Sequence, residues 1–240
     1  MTQKKLVTKK NLVKRKEFTF EEDYYEGYFR KAIGDINPAT FKRLQNWSKA
    51  RFSGLNKYIQ LTNGEGKTAI EFGCGFAPAS TVLTQYGFDI VATDVSEYIL
   101  KRARELSPLT PLLNFKNHNI EKPYASKTKF DLVCAFEVIE HLKFPHIAIK
   151  NMYDITKDGG ITICSTPNDY ASSRVDPSHI NIKKPKEWEK IFKNVGYKEV
   201  KIKQLSFLPF SRIHWRMALS LPFGIDFRYI VSPVFIIAKK

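Results

Sequence analysis

Short apolar runs alternate with segments of helical periodicity through the middle of the chain. The runs are bounded by glycine, proline and polar residues, which is typical of buried strands. Five such strands are predicted: Thr68–Phe72, Phe88–Thr93, Leu112–Lys116, Phe130–Phe136 and Ile161–Ser165. Between them, helices are predicted from Pro78 to Tyr86 and from a cap at Ser96 to Leu106. Repeated β-α units of this kind predict an α/β fold, in which helices cover both faces of a parallel sheet.

The C-terminal part of the pattern departs from this alternation. A helix is predicted to begin at Pro185 and to stop at Gly196, and two strands follow it, Tyr197–Leu205 and Tyr229–Ala238. No long crossover helix separates these two strands. A doubly wound oxidoreductase would normally continue with another β-α unit.

The N-terminal part of the pattern predicts two helices that cover the sheet. Asn37 and Pro38 are typical of a cap and first turn, and side chains recur after them at helical spacing: Phe41, Leu44, Trp47, Arg51, Leu55 and Tyr58. Upstream tyrosines such as Tyr24, Tyr25 and Tyr28 either touch a ligand or pack in the core. The chain is therefore predicted to divide into a basic disordered tail, 1–16, an N-terminal helical cover, 17–62, and one main domain, 63–240.

The first predicted strand ends in a turn that contains Gly73 and Gly75. Because glycine has no Cβ, the backbone there can adopt positive φ and approach a ligand closely. Pro78 suits the first turn of the next helix, whose unpaired N–H groups point toward whatever binds over the glycines. The turn therefore predicts a nucleotide-type pocket. A nicotinamide fingerprint, G-x-G-x-x-G, would need a third glycine where Pro78 stands.

Asp94 closes the second predicted strand, nineteen positions after Gly75. A carboxylate at this place can accept hydrogen bonds from both hydroxyls of a ribose. The spacing fits NAD and S-adenosylmethionine equally well, so it indicates an adenosine ligand without choosing one. The alternative is a structural aspartate before the helix cap at Ser96.

Two segments resemble those of class I S-adenosylmethionine-dependent methyltransferases. Glu71, Gly73 and Gly75 resemble the acid-x-G-x-G-x-G motif, with Ala77 in place of the last glycine. Residues 130–142, FDLVCAFEVIEHL, resemble the fourth-strand motif, especially that of ubiquinone-biosynthesis-type O-methyltransferases (the type 11 group) and of small-RNA 3′-terminal 2′-O-methyltransferases. The resemblance implies a Rossmann-like, doubly wound sheet of seven strands with an antiparallel last strand.

The resemblance also implies which residues form the site. The reacting end would contain Glu140, His141 and His179. In the family the second strand's acid holds the ribose, and the loop before the fourth strand lies near the adenine. The residues implied to bind the cofactor S-adenosyl-L-methionine are Glu71, Gly73, Cys74, Gly75, Ala77, Asp94, Val95, Asn119, Ile120, Phe136 and Glu137.

Two chemistries remain open at the reacting end. Glu137, Glu140 and His141 stand at i, i+3 and i+4, so a helical turn after the fourth strand would place them on one face. Together with His179 they could bind a divalent cation such as magnesium, which would hold an acceptor hydroxyl and lower its pKa. Alternatively, no metal binds and His141 or His179 acts as a general base.

The function implied is S-adenosylmethionine-dependent methyl transfer, with a hydroxyl of a small molecule, a lipid-linked intermediate or a glycan as acceptor. An RNA methyltransferase of the 2′-O type, a nicotinamide-dependent oxidoreductase and a non-catalytic binding protein are the alternatives. The formal charge of +15 is relevant to the RNA alternative because basic residues crowd the tail before the first acid, Glu17. Such a tail could contact RNA, DNA or an anionic membrane.

Three cysteines, Cys74, Cys134 and Cys164, form no C-x-x-C pair and are expected to be reduced core residues. Without a secretory signal, the protein is predicted to be cytoplasmic, with a peripheral membrane position as an option. Residues 206–228 are aromatic and basic, and they are expected to pack over the sheet rather than to lie on a membrane. No obligate protein partner is evident from the sequence.

Overall fold

A computed structural model describes residues 20–207, 220–225 and 232–240 of the chain. The predictions for the basic tail, for most of residues 206–228 and for the start of the last strand therefore lie outside the described residues, as does the side chain of Tyr28. The division into tail, cover and main domain stays a prediction. None of the helices described is both long enough and apolar enough to cross a membrane.

A seven-stranded sheet forms the centre of the protein, with strand order β3-β2-β1-β4-β5-β9-β6. Strands β1 to β5 are parallel to one another, whereas β9 lies between β5 and β6 and runs antiparallel to both. A separate two-stranded ribbon pairs β7 with β8. The strands are β1 (Thr68–Phe72), β2 (Asp89–Asp94), β3 (Leu113–Asn117), β4 (Phe130–Phe136), β5 (Thr156–Pro167), β6 (Glu199–Gln204), β7 (Ser206–Phe207), β8 (Ser220–Leu221) and β9 (Pro233–Lys239).

Helices pack on both faces of this sheet. The α-helices are α1 (Arg30–Ile33), α2 (Pro38–Leu55), α3 (Pro78–Gln85), α4 (Glu97–Leu106), α5 (Pro145–Ile155) and α6 (Pro185–Val195), with a π-helical segment, Tyr24–Phe29, before α1 and a 3₁₀ turn, Ser172–Arg174, after β5. Successive residues of β1 face opposite sides, because Ala69 belongs to the cluster under α2 to α4 and Ile70 to the cluster under α5 and α6. One hydrophobic core therefore lies on each face of the sheet, as in other doubly wound folds.

The helix caps follow the sequence prediction. The Asn37 side chain accepts a hydrogen bond from Thr40 N at 3.0 Å at the start of α2, and Ser96 Oγ accepts from Ile99 N at 3.4 Å at the start of α4. Gly196, with φ of 121°, ends α6 in a conformation that few other residues adopt. The bounds of β1 and β4 coincide with the predicted strands.

Three local predictions differ from the structure. Helix α5 was not predicted, although Phe144 and Pro145 stand at its start. Strand β5 begins at Thr156, earlier than predicted. Thr156 pairs with Phe130 of β4 and Ile161 pairs with Leu132, so the β5 residues around Gly159 and Gly160 form a bulge between these two pairings. The predicted helical turn over Glu137, Glu140 and His141 is wrong, because Glu137 has φ of 56° and only the next residues form a turn.

The cover lies over the carboxyl ends of the central strands. Helix α2 packs against α3, and the rings of Phe29 and Phe41 lie 6.0 and 6.3 Å from the ring of Phe76, which follows the glycine turn. Parallel strands end at a common edge of the sheet, so the loops after β1, β2, β4 and β5 meet there. The cover closes this edge from above.

Candidate functional site

A cavity of about 460 Å³ lies where the cover meets the carboxyl ends of β1, β2 and β4. It extends from the glycine turn and Asp94 at one end to His141 and His179 at the other. The predicted site residues all line it except Ala77 and Glu140, which are fully buried behind its wall. Residues from five separate loops, those after β1 to β5, therefore meet in a single space.

The glycine turn brings the backbone to the wall of the cavity. Gly73 has φ of 63°, and a Cβ at this position would lie 2.4 Å from Cγ2 of Val138, so a side chain would be strained and would require Val138 to shift. Gly75 has φ of 56°, and a Cβ there would meet no protein atom within 4 Å, because it would point into open space. Ala77, left-handed with φ of 62°, precedes Pro78 and begins α3. The turn thus leaves room for a ligand above Gly75.

Asp94 is buried at the end of β2 and is held by donors on both oxygens. Its Oδ2 accepts from Gly75 N at 3.0 Å, and its Oδ1 accepts from Ser96 N at 3.1 Å and from the Tyr25 hydroxyl at 3.3 Å. Burial raises the pKa of Asp94 to about 6, although these hydrogen bonds act in the opposite direction. The side chain is therefore a carboxylate at neutral pH, placed between the glycine turn and the cover.

Glu71 and Arg51 are two buried charged residues that also line the cavity. Burial raises the pKa of Glu71 to about 7, while a hydrogen bond from the Ser80 hydroxyl and the charge of Arg51 lower it. Arg51 comes from α2, and its guanidinium carbon lies 4.8 Å from the centre of the Phe136 ring. Although the side chain is buried, Nε has no hydrogen-bond partner among the described residues. A buried cation with an unused donor at the edge of a cavity suits an anionic ligand group.

The predicted adenine end is less complete. Val95 is partly exposed and Ile120 is buried at the wall. The side chain of Asn119 accepts from Glu121 N at 2.8 Å, so its oxygen already caps its own loop.

Two histidines form the other end of the cavity. The rings of His141 and His179 lie 4.8 Å apart. His141 Nδ1 lies 3.1 Å from the carbonyl oxygen of Ser178, and His179 Nδ1 lies 2.7 Å from that of Ser173. Burial, with the charge of His179, lowers the pKa of His141 to about 4, so this ring is uncharged at neutral pH. The loop after β5 is thus folded back over the turn after β4.

Glu140 is buried next to the two imidazoles. Oε1 of Glu140 lies 3.9 Å from His141 Nε2. Neither carboxylate oxygen of Glu140 has a hydrogen-bond partner within the described part of the chain. The Thr166 hydroxyl is near enough to favour the charged form but does not reach hydrogen-bond geometry. Burial and the charge of Glu137 raise the pKa of Glu140 well above its usual range. One donor atom from each of Glu140, His141 and His179 lies within 4.8 Å of the others.

Glu137 does not join this cluster. Its backbone is left-handed, its N–H bonds to Ser165 O at 3.0 Å, and its carboxylate accepts from the Ser165 hydroxyl at 2.6 Å. The side chain lines the cavity nearer to Arg51, whose charge it helps to stabilise. Of the four residues suggested for a metal, the structure brings together only three.

The sequence analysis missed four polar residues of the cavity: Arg51, His118, Glu121 and Asp176. Arg51 was assigned only to a helix face, although a charged residue among apolar positions is a visible sign of a buried role. Asp176, in the loop after β5, lines the cavity, and its Oδ2 lies 3.5 Å from His179 Nε2. It stands three positions before a histidine that the analysis did select.

Strand order, an antiparallel strand inserted before β6, a glycine turn after β1 and an acid at the end of β2 together define the class I S-adenosylmethionine-dependent methyltransferase fold. A family model described as a methyltransferase domain matches residues 45–202. The chain belongs to this methyltransferase family, and not to the nicotinamide-dependent oxidoreductases.

Relatives and solved structures agree with this placement. The chain is 29% identical over 134 residues to the ubiquinone biosynthesis O-methyltransferase of Coxiella burnetii, a match that covers 55% of this chain and 56% of the relative. A protein of the same description from Cereibacter sphaeroides is 28% identical over 175 residues, covering 65% and 69%. The chain thus spans a little over half the length of the first of these relatives.

The solved structures are similar in fold alone. Magnesium protoporphyrin IX methyltransferase from Synechocystis with bound SAH has a TM-score of 0.63 at 15% identity, covering 91% of this chain and 97% of that one. A SAM-dependent methyltransferase from Archaeoglobus fulgidus has a TM-score of 0.63 at 19% identity, covering 91% and 100%.

Proposed function

We propose that this protein transfers the methyl group of S-adenosylmethionine to a hydroxyl oxygen of an acceptor. The observation that carries the proposal is the single cavity, which joins a nucleoside-type end at Gly75 and Asp94 to a pair of imidazoles at His141 and His179. The acceptor class is a small molecule, a lipid-linked intermediate or a glycan. The ubiquinone biosynthesis O-methyltransferases among the relatives support oxygen as the acceptor atom.

The nucleoside end fits the proposed cofactor at three points. The open space above Gly75 admits a ligand against the backbone. Asp94 can accept from ribose hydroxyls, with Tyr25 giving up or sharing its place on the carboxylate. Arg51 can pair with the carboxylate of the methionine portion through the donors it does not use within the protein. The cavity wall at Asn119 and Ile120 is then left for the adenine.

The protein's own contribution to the reaction is chiefly placement. When bound, the cofactor supplies a methyl group on a sulfonium, which is already activated for transfer. Phe20 and Tyr24 close the cavity beside the imidazoles and keep bulk water out. The acceptor hydroxyl loses its proton as it attacks, so a group that takes or weakens that proton must lie next to it. His141 and His179, which line this end of the cavity, are the groups that would do so.

A divalent cation is a second candidate for this task, and Glu140 is the observation that favours it. A buried carboxylate with both oxygens unpaired is costly unless it binds a proton or a cation. Glu140, His141 and His179 would hold the ion, which would lower the pKa of an acceptor hydroxyl bound to it. Two imidazoles and a carboxylate are a donor set that first-row divalent ions accept.

Two measurements test the proposed function. Isothermal titration calorimetry of the full chain with S-adenosylhomocysteine should show binding, and NADH should show none. A screen with labelled S-adenosylmethionine should then transfer label to phenols, diols or glycans with and without EDTA. If S-adenosylhomocysteine does not bind, the proposal is wrong, and if transfer is unchanged in EDTA, the cation has no part in it.

A further inference from the structure

His118 follows β3 and lines the cavity at the end proposed for the adenine. Its backbone N–H donates to the carbonyl oxygen of Asp94 at 2.9 Å, and β3 pairs with β2, the strand that Asp94 closes. In an adenine nucleoside the base is joined directly to the ribose. A nucleoside whose ribose lies at Asp94 would therefore have its base within reach of the end of β3.

One ring nitrogen of His118 is bonded within the protein and the other is not. Nε2 lies 3.1 Å from the carbonyl oxygen of Lys122. A carbonyl oxygen can only accept a hydrogen bond, so Nε2 carries the ring proton and donates it. Nδ1 therefore bears a lone pair, and it has no hydrogen-bond partner among the described residues. Burial lowers the pKa of His118, which keeps the ring uncharged at neutral pH and Nδ1 an acceptor.

Two aromatic rings hold the imidazole of His118 in place. The rings of Phe72 and Tyr124 lie 5.9 and 5.0 Å from it, and they lie 6.1 Å from each other. Together with the bond from Nε2 to Lys122 O, these contacts restrict rotation of the imidazole. An acceptor that is fixed before the ligand arrives loses less conformational entropy on binding than a mobile one.

The neighbouring side chains at this end already accept hydrogen bonds from the backbone. Oδ1 of Asn119, the residue that the resemblance places near the adenine, accepts from Glu121 N at 2.8 Å. Glu121 also lines the cavity, and its Oε1 accepts from Phe144 N at 2.6 Å at the start of α5. A ligand bonded to either of these oxygens would share it with a backbone N–H, whereas a ligand bonded to His118 Nδ1 would displace no bond of the described residues.

We propose that His118 selects adenine in this protein, because its Nδ1 accepts a hydrogen bond from the exocyclic amino group of the base. The inference rests on the cofactor considered under the proposed function and extends it, since it assigns recognition of the base to His118 and not to Asn119. The amino group of adenine can donate to Nδ1. Hypoxanthine has a carbonyl oxygen in the same place, which cannot donate and would face the lone pair of Nδ1. A site that hydrogen-bonds one group discriminates against an analogue that lacks it.

The test compares two ligands on each variant by calorimetry: S-adenosylhomocysteine and its hypoxanthine analogue, S-inosylhomocysteine. The wild-type full chain should bind S-adenosylhomocysteine more tightly, by roughly 10- to 100-fold in Kd. His118→Phe keeps a ring against Phe72 and Tyr124 but removes both nitrogens, and we expect the preference to fall below about threefold. Both ligands share the ribose and the homocysteine portion, so a general loss of affinity or stability in a variant leaves the ratio of the two Kd values unchanged.

The matched control is His146→Phe, because His146 is exposed at the start of α5, and its ratio should stay within about twofold of wild type. Asn119→Ala tests the competing assignment and should change both Kd values by the same factor. The role of His118 is refuted, while the proposed function stands, if the wild-type chain binds both ligands equally, if His118→Phe keeps the preference, or if Asn119→Ala or Glu121→Gln removes it as completely. A wild-type chain that binds neither ligand refutes the proposed function itself.

Discussion

The carboxylate of Asp94 allows a quantitative prediction about cofactor affinity. In the structure this side chain lies between Gly75 N and the cover, and it would accept from the ribose of the bound cofactor. A hydrogen bond to a charged group contributes about 1.5–3 kcal/mol. Asp94→Asn removes the charge and presents an amide to the Gly75 N–H. We therefore expect a loss of about 2–4 kcal/mol, or roughly 30- to 1,000-fold in Kd for S-adenosylhomocysteine.

The same residue should make binding depend on pH. The pKa of Asp94 is about 6 in the fold, because burial raises it from 3.8. Since only the charged form accepts two hydroxyls, affinity should fall about tenfold per pH unit below pH 6. The stability of the cofactor-free protein should change in the opposite direction. A folded pKa above the unfolded one means proton uptake on folding, so this group adds up to about 3 kcal/mol of stability as pH falls from 7 to 4.

The assay is calorimetry with S-adenosylhomocysteine between pH 5 and 8, with urea unfolding of the free protein between pH 4 and 8. Asp89→Asn is the matched control, because Asp89 begins the same strand and is exposed. Wild type and Asp89→Asn should show the pH dependence, and Asp94→Asn should bind weakly at every pH. The reasoning is refuted if wild-type affinity is constant across this range or if Asp94→Asn binds within threefold of wild type.

Three further variants test other parts of the cavity. Arg51→Met should weaken the binding of S-adenosylhomocysteine roughly 10- to 150-fold but leave the affinity for adenosine unchanged, since adenosine lacks the carboxylate. Equal losses of affinity for both ligands in calorimetry would contradict this. Gly73→Ala should lower the free energy of unfolding in urea by about 2–4 kcal/mol, because its Cβ would meet Val138 at 2.4 Å at positive φ. Gly75→Ala should lower it by about 1–2 kcal/mol, since only the positive φ is unfavourable there. Equal losses of stability would be evidence against this geometry. His179→Ala should lower kcat about 100-fold and leave the Kd for S-adenosylhomocysteine within threefold, and an unchanged kcat would remove His179 from the reaction.

Much of the fold could be predicted because local rules and global packing agree along β1 to β4. The apolar run Thr68–Phe72 ends at glycines that only a tight turn needs, and the Ser96 side chain caps α4 as its position suggested. Helix α5 was not predicted, and its start at Phe144 lacks the side-chain cap that Asn37 and Ser96 provide for α2 and α4. Gly159 and Gly160 indicated a turn, but the chain takes them up as a bulge within β5.

The candidate site was predictable in its parts and not in its assembly. Spacing in sequence suggested that Glu137 and Glu140 share a helix face, and this inference failed because a left-handed residue follows β4. No rule of local periodicity could indicate that the loop after β5 brings Asp176 to His179, because that contact depends on how two loops fold together. Arg51 reaches the cavity only through the packing of α2 on the sheet edge, which is a tertiary event.

The tyrosines of the π-helical segment have a kinetic consequence. Tyr25 donates to Asp94 at the nucleoside end, while its neighbour Tyr24 lines the cavity and packs against Phe20, whose ring lies 5.7 Å from that of His141 at the imidazole end. If the donor molecule binds at Asp94 as proposed, we expect its exchange to require this segment to lift, which would also open the end of the cavity at the imidazoles. Turnover should therefore follow a compulsory order, in which the donor enters first and its demethylated product departs last.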